Sequence, residues 1–142
     1  MFALVAVAWA AVIPLAALAA GPGVPAAVQV GAALPYAIGA VICHQQPARS
    51  FALWSHQLPV CARCTGIYAG AALVTLAAAL RSPVVRRRRT LLLLAALPTI
   101  ATLVFEWSTG ITPSNLLRAI TGVLLGAAVA WVILAALDDQ VN

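Results

Sequence analysis

The chain has 142 residues, of which 64% are apolar and only 8% charged, with eight arginines, no lysine and three acidic residues. So little polar surface cannot cover a water-soluble globule, which leaves an integral membrane protein. The net charge of +5 comes largely from Arg86-Arg87-Arg88-Arg89 with nearby Arg81, a short basic run between apolar segments that reads as a positive-inside loop and excludes nucleic acid as the expected partner.

Residues 2–20 form the first expected span. Ala17-Leu18-Ala19 resembles a signal-peptide cleavage site, but no basic residue precedes the apolar run and Pro14 interrupts it, so a retained span is expected. Gly21-Pro22-Gly23-Val24-Pro25 cannot continue a helix. Residues 26–42 are apolar but broken by Gln29, Gly31, Pro35, Tyr36 and Gly39, and fit either an interfacial helix or a short, tilted fifth span. A polar connection follows at 43–60. Pro59 then introduces a span at 61–80, the basic loop covers 81–90, and a span at 90–107 carries Pro98 as a kink. After a turn at 109–114, the last span runs over 115–137 and ends in Asp138-Asp139. The expected fold is all-α, a single polytopic transmembrane helix bundle of four spans plus the helix at 26–42, each span near the ~20 residues that cross a bilayer core.

With the arginine loop and the C-terminus in the cytoplasm of a cell's inner (plasma) membrane, the connections at 43–60 and 108–114 share the outer face. The N-terminus lies outside if 26–42 is a span and inside if it is interfacial. The arginine run also suits anionic lipid, a role compatible with the topological one.

All three cysteines fall between residues 43 and 64, in Cys43-His44 and Cys61-Ala62-Arg63-Cys64. Three thiols and an imidazole, Cys43, His44, Cys61 and Cys64, make a Cys₃His donor set of the kind tetrahedral zinc prefers. The Cys-x-x-Cys pair is the more specific half. Adjacent Cys43 and His44 need an irregular backbone to converge, and His56 is a substitute donor. Two other readings stand beside a zinc or other transition-metal site. The cysteines could be small apolar fillers, or Cys61, at a helix start beside Arg63, could be an acidified thiol of a thiol-disulfide exchange centre with Cys64 as partner and Cys43 as relay.

Glu106, Arg63 and Arg118 lie on the same expected face, against the charge bias that puts arginines inside. Charges near the membrane are costly unless paired, so Glu106 is expected to meet Arg118 or Arg63. With Arg49 they are the candidate catalytic residues, Glu106 for a cation or a proton and an arginine for an anion; the plain alternative is a buried ion pair that fixes helix register. Thr99, Thr102 and Glu106 share one helical face, and Asn115, Arg118, Gly122 and Gly126 share another. Gly66 with Gly70, and Gly122 with Gly126, are small-xxx-small pairs for close helix packing.

Taken together, Cys43-His44-Gln45, Arg49-Ser50-Phe51, the run from Leu58 to Tyr68 (LPVCARCTGIY) with Gly70, and Ser114-Asn115 with Arg118 and Thr121-Gly122 resemble a family of small prokaryotic polytopic membrane proteins known as a domain of unknown function. The likeness covers roughly residues 36–126. It implies a shared fold and a shared polar site without naming a reaction. Family members often carry an aspartate where Glu106-Trp107 stands here, which lengthens the carboxylate's reach by one methylene.

The expected function is an integral membrane protein with an outward-facing Cys/His metal site, zinc first, and Glu106, Arg63 and Arg118 around it. The rivals are a membrane thiol-disulfide oxidoreductase and an accessory subunit of a larger membrane complex. The bilayer is the expected partner, with a homo-oligomer or a larger complex also compatible with the small size.

Overall fold

The computed structural model describes residues 1–80 and 87–141; Arg81 and Arg86 of the basic connection lie outside them. Five helices follow one another: α1 Phe2–Ala19, α2 Ala26–Ile42, α3 Ala62–Ala78, α4 Arg88–Thr109 and α5 Asn115–Val141. Between α2 and α3 the chain makes a 3₁₀ turn, Pro47–Arg49, and a two-stranded hairpin of β1 Ala52–Leu53 and β2 His56–Gln57. The protein is an all-α membrane bundle. α1, α4 and the first 26 residues of α5 are long and apolar enough to cross a bilayer, whereas α2 and α3 have 17 residues each, about 25 Å at 1.5 Å per residue. Several helix ends differ from the sequence expectation: α3 is shorter than the expected 61–80, α4 extends to both sides of 90–107, and α5 runs past Asp138 and Asp139.

Glycines decide which helices approach most closely. A β-carbon at Gly66 or Gly70 of α3 would run into the carbonyls of Ala119 and Val123, and one at Gly122 or Gly126 of α5 into those of Arg63 and Ile67. The two small-xxx-small pairs therefore face each other across a seam where backbone meets backbone. The paired positions rise together in number, so α3 and α5 run in the same direction, and α4, which links them in the chain, runs the opposite way beside α5. Arg88 pairs with Asp139 at one end of α4 and α5, and Glu106 pairs with Arg118 at the other. The connection before α3 and the turn at 110–114 consequently lie at one end of the bundle.

The lipid-facing character is plain on α4, where Leu93, Leu94, Leu97, Ile100 and Val104 are all exposed. The buried apolar cluster sits instead where the connection tucks under α1. Ile13 and Ala17 pack there against Leu58 and Val60, with Trp9, Phe51, Cys64 and Tyr68 around them. Trp9 and Tyr68 meet edge to face, centroids 5.9 Å apart.

Candidate functional site

The connection from 43 to 61 is a folded element. Trp54 and Ser55 take φ of 51° and 66°, the two left-handed positions of a type I′ hairpin turn, which pairs Ala52 with Gln57 and Leu53 with His56. Two glutamines fasten the element to α2. The Gln45 side-chain amide donates to the carbonyls of Tyr36 (2.8 Å) and Pro59 (2.7 Å), and the Gln57 amide donates to the Gln45 carbonyl (2.6 Å). The Tyr36 hydroxyl closes the ring by donating to the Gln57 carbonyl at 2.5 Å. Gly39 is the residue that permits this docking, since a β-carbon there would strike the Pro59 carbonyl.

Docking brings Cys43, the residue after α2, beside Cys61, the residue before α3. The sulfurs of Cys43, Cys61 and Cys64 all lie within 4.8 Å of one another, and all three cysteines are free thiols. Cys61 is buried and the other two are half-buried. The Cys61 N–H donates to the Cys43 sulfur at 3.1 Å. The Cys61 thiol is held well below its usual range, first because Cys64 donates a hydrogen bond to it, with further help from the Cys64 backbone N–H, Cys43 and the nearby His44 charge, against the opposing effect of burial.

Three of the four expected donors thus converge, and His44 is not among them. Cys43 is extended, with φ −148° and ψ 144°, so the next side chain turns to the opposite side. His44 is exposed, and its Nδ1 accepts the Gln46 N–H at 3.1 Å. His56 lies by the α1–α2 turn, its Nε2 near Gly21, outside the thiol group.

The charged residues form a second cluster on the other side of α3. The first turn of α3 presents Cys64 toward α1 and its neighbour Arg63 toward α4, where a terminal Arg63 nitrogen donates to Thr102 Oγ1 at 3.2 Å. Glu106, 6% exposed, accepts one Arg118 nitrogen on both carboxylate oxygens at 2.9 Å. Arg49 reaches the same carboxylate at 2.5 Å. Glu106 therefore meets Arg118 as expected, but its second partner is Arg49 and not Arg63. Thr99, Thr102 and Glu106 are buried on one face of α4. Asn115 Nδ2 donates to the Ser50 carbonyl at 3.1 Å, so the arginine cluster and the thiol-bearing connection share a strut.

A bundle with lipid-facing apolar helices, a folded polar cap and a buried thiol group at one end defines a polytopic membrane protein with a constructed polar site. The chain belongs to the family described as "Predicted membrane protein (DUF2085)", which matches residues 43–132 and so includes both clusters. An uncharacterized protein of Methanothermobacter thermautotrophicus is 41% identical over 92 residues, covering 63% of this chain and 81% of that protein. Uncharacterized protein MJ1492 of Methanocaldococcus jannaschii is 57% identical over 35 residues, 25% of this chain and 22% of its own length. The chain thus spans about a fifth of one relative and most of the other. No solved structure matches the chain.

Sequence reasoning missed Tyr36, Gln45 and Gln57, which set the position of Cys43. Gln45 stood in plain view inside the Cys43-His44-Gln45 motif, but a glutamine in a polar connection carries no local signal for the two carbonyls it bridges.

Proposed function

We propose that this membrane protein is a metalloprotein in which Cys43, Cys61 and Cys64 hold one soft transition-metal ion, zinc first. The observation that carries the reading is the convergence of three sulfurs from two separate segments to within 4.8 Å. Tetrahedral zinc with Zn–S bonds of about 2.3 Å wants sulfurs about 3.8 Å apart, which this spacing accommodates, whereas a disulfide wants about 2.05 Å. The Cys61 N–H on the Cys43 sulfur and the lowered Cys61 thiol suit thiolate ligands, which metals require. His44 Nε2 or solvent would fill the fourth position. Bound there, the ion would supply a cross-link between the end of α2 and the start of α3. Tyr36, Gln45 and Gln57 hold the connection in place, and Leu58 and Val60 shield the site from the α1 side. The arginine run supports an orientation with this end of the bundle outside the cell and the basic connection and C-terminus within.

Elemental analysis of detergent-purified protein should find about one metal per chain, lost in the Cys61→Ser/Cys64→Ser double variant. Folded wild-type protein without metal, purified without chelator, ends this reading.

A second reading, thiol-disulfide exchange with Cys61 as nucleophile and Cys64 as its partner, is favoured by the lowered Cys61 thiol ahead of α3. Alkylation after chelation and without reductant separates the two. Three labelled thiols support the metal, and one labelled thiol, rising to three with reductant, supports exchange.

A further inference from the structure

The arginine cluster is out of charge balance. Arg49 and Arg118 bind one carboxylate, Glu106, and Arg63 lies one turn away on Thr102, a surplus of two positive charges by simple count. The chain's other acids cannot supply the difference. Asp138 and Asp139 sit on the same helix as Arg118, about 30 Å farther along its axis at 1.5 Å per residue. Arg118, 2% exposed, is matched by Glu106, so the surplus falls on Arg49 and Arg63.

Hydrogen bonding is out of balance in the same place. Arg63 Nε, Arg118 Nε and Asn115 Oδ1 are buried and have no hydrogen-bond partner among the described residues. Their locus is shared: Arg63 bonds Thr102, one turn from Glu106 on α4, Glu106 holds Arg118, and Asn115 is one turn before Arg118 on α5. The Asn115 amide cannot be turned over to relieve its oxygen, because Nδ2 is committed to the Ser50 carbonyl and a flip would oppose two oxygens. The cluster thus offers two charged N–H donors and one fixed acceptor. Buried polar atoms are rarely left alone.

We infer that this cluster binds a protonated oxyanion of the phosphate type, either free hydrogen phosphate or the phosphomonoester headgroup of a lipid. Guanidinium N–H groups suit its oxygens, and its P–OH proton goes to Asn115 Oδ1. Arg49, with its side chain 34% exposed, is the solvent-facing cation of the cluster and would meet the anion first. Glu106 keeps Arg118 and Arg49 in place and sets the affinity by opposing the ligand's charge. The site is separate from the thiols and does not rest on their holding a metal.

The test is thermal unfolding of the full chain in detergent, titrated with sodium phosphate against sodium chloride at matched ionic strength. Phosphate should raise the midpoint saturably, and sulfate, which has no proton for Asn115, should need at least about tenfold higher concentration. Glu106→Gln keeps an acceptor for Arg118 and removes the opposing charge, so phosphate should bind that variant about tenfold more tightly or better. Arg63→Gln, outside the Glu106 ion pair, should weaken phosphate about tenfold in a folded protein. In a second arm the protein is reconstituted in phosphatidylcholine bilayers with and without phosphatidic acid; stabilisation by phosphatidic acid with no response to free phosphate assigns the lipid headgroup. Absence of stabilisation in both arms, for wild type and Glu106→Gln alike, overturns the inference and leaves a structural ion cluster. Equal response to chloride, sulfate and phosphate overturns it as well.

Discussion

Replacing Gln45 with alanine tests whether the thiol group is held together by the docked connection. Gln45 has φ 46°, a left-handed conformation that costs glutamine and alanine alike, so the substitution isolates the side-chain amide. That amide makes two hydrogen bonds, to the Tyr36 and Pro59 carbonyls, both half-buried. At about 1 kcal/mol net for each, the connection loses roughly 2 kcal/mol of docking energy. At 1.4 kcal/mol per tenfold, its undocked population rises about 30-fold. Cys43 travels with the connection while Cys61 and Cys64 stay with α3. On the proposed metal site, the assay is release of zinc from zinc-loaded, detergent-purified protein to a chromogenic chelator, compared for wild type and Gln45→Ala. Release should quicken by a factor on the order of 30 if opening precedes it, with the helix content unchanged. Equal release rates from two folded proteins would refute the reasoning, because the carbonyl bridges would then have no part in holding the sulfurs.

Gly126→Val should be poorly tolerated, since its side chain meets the Ile67 backbone and no flexible atom can yield; a loss of about 3 kcal/mol or more is expected, read as a lower thermal midpoint. Arg118→Met removes the buried one of Glu106's two arginine partners and leaves Arg49 on the carboxylate, so it should cost about 2 kcal/mol or more, and adding Glu106→Leu should recover part of that loss, because no acid then remains buried in the cluster and Arg49 can reach water. Recovery failing in the double variant would mean that the pair matters for more than charge. If both proposed sites are occupied in the cell, chelating the metal should weaken phosphate binding at least about fivefold by titration, whereas independent sites would leave the affinity unchanged.

Helical periodicity made much of this legible. Thr99, Thr102 and Glu106 fall on one face because their spacing is that of a helix, and the facing glycines of α3 and α5 follow from spacing of the same kind. The Cys-x-x-Cys pair with a third thiol at the end of the preceding helix also pointed to one place. The connection was not legible in the same way. Its hairpin turns at Trp54-Ser55, where the usual asparagine or glycine of a type I′ turn is missing, so no turn signal announced it. His44 lies apart from the three sulfurs because the backbone at Cys43 is extended, which turns the next side chain to the opposite side. Arg49 displaced Arg63 at Glu106 for a related reason: a 3₁₀ turn in the docked connection carries it across to α4, and no periodicity relates residue 49 to residue 106.

The two clusters are joined by one piece of chain, and that arrangement sets the sign of their coupling. The connection ends in thiols at residues 43 and 61, and between them Arg49 and Ser50 reach Glu106 and Asn115. A metal on the thiols would fix both ends of the segment that positions Arg49 and the Ser50 strut, so the arginine cluster would bind the proposed anion at lower ordering cost. On the proposed metal and anion sites, order in the connection would favour occupancy of both together.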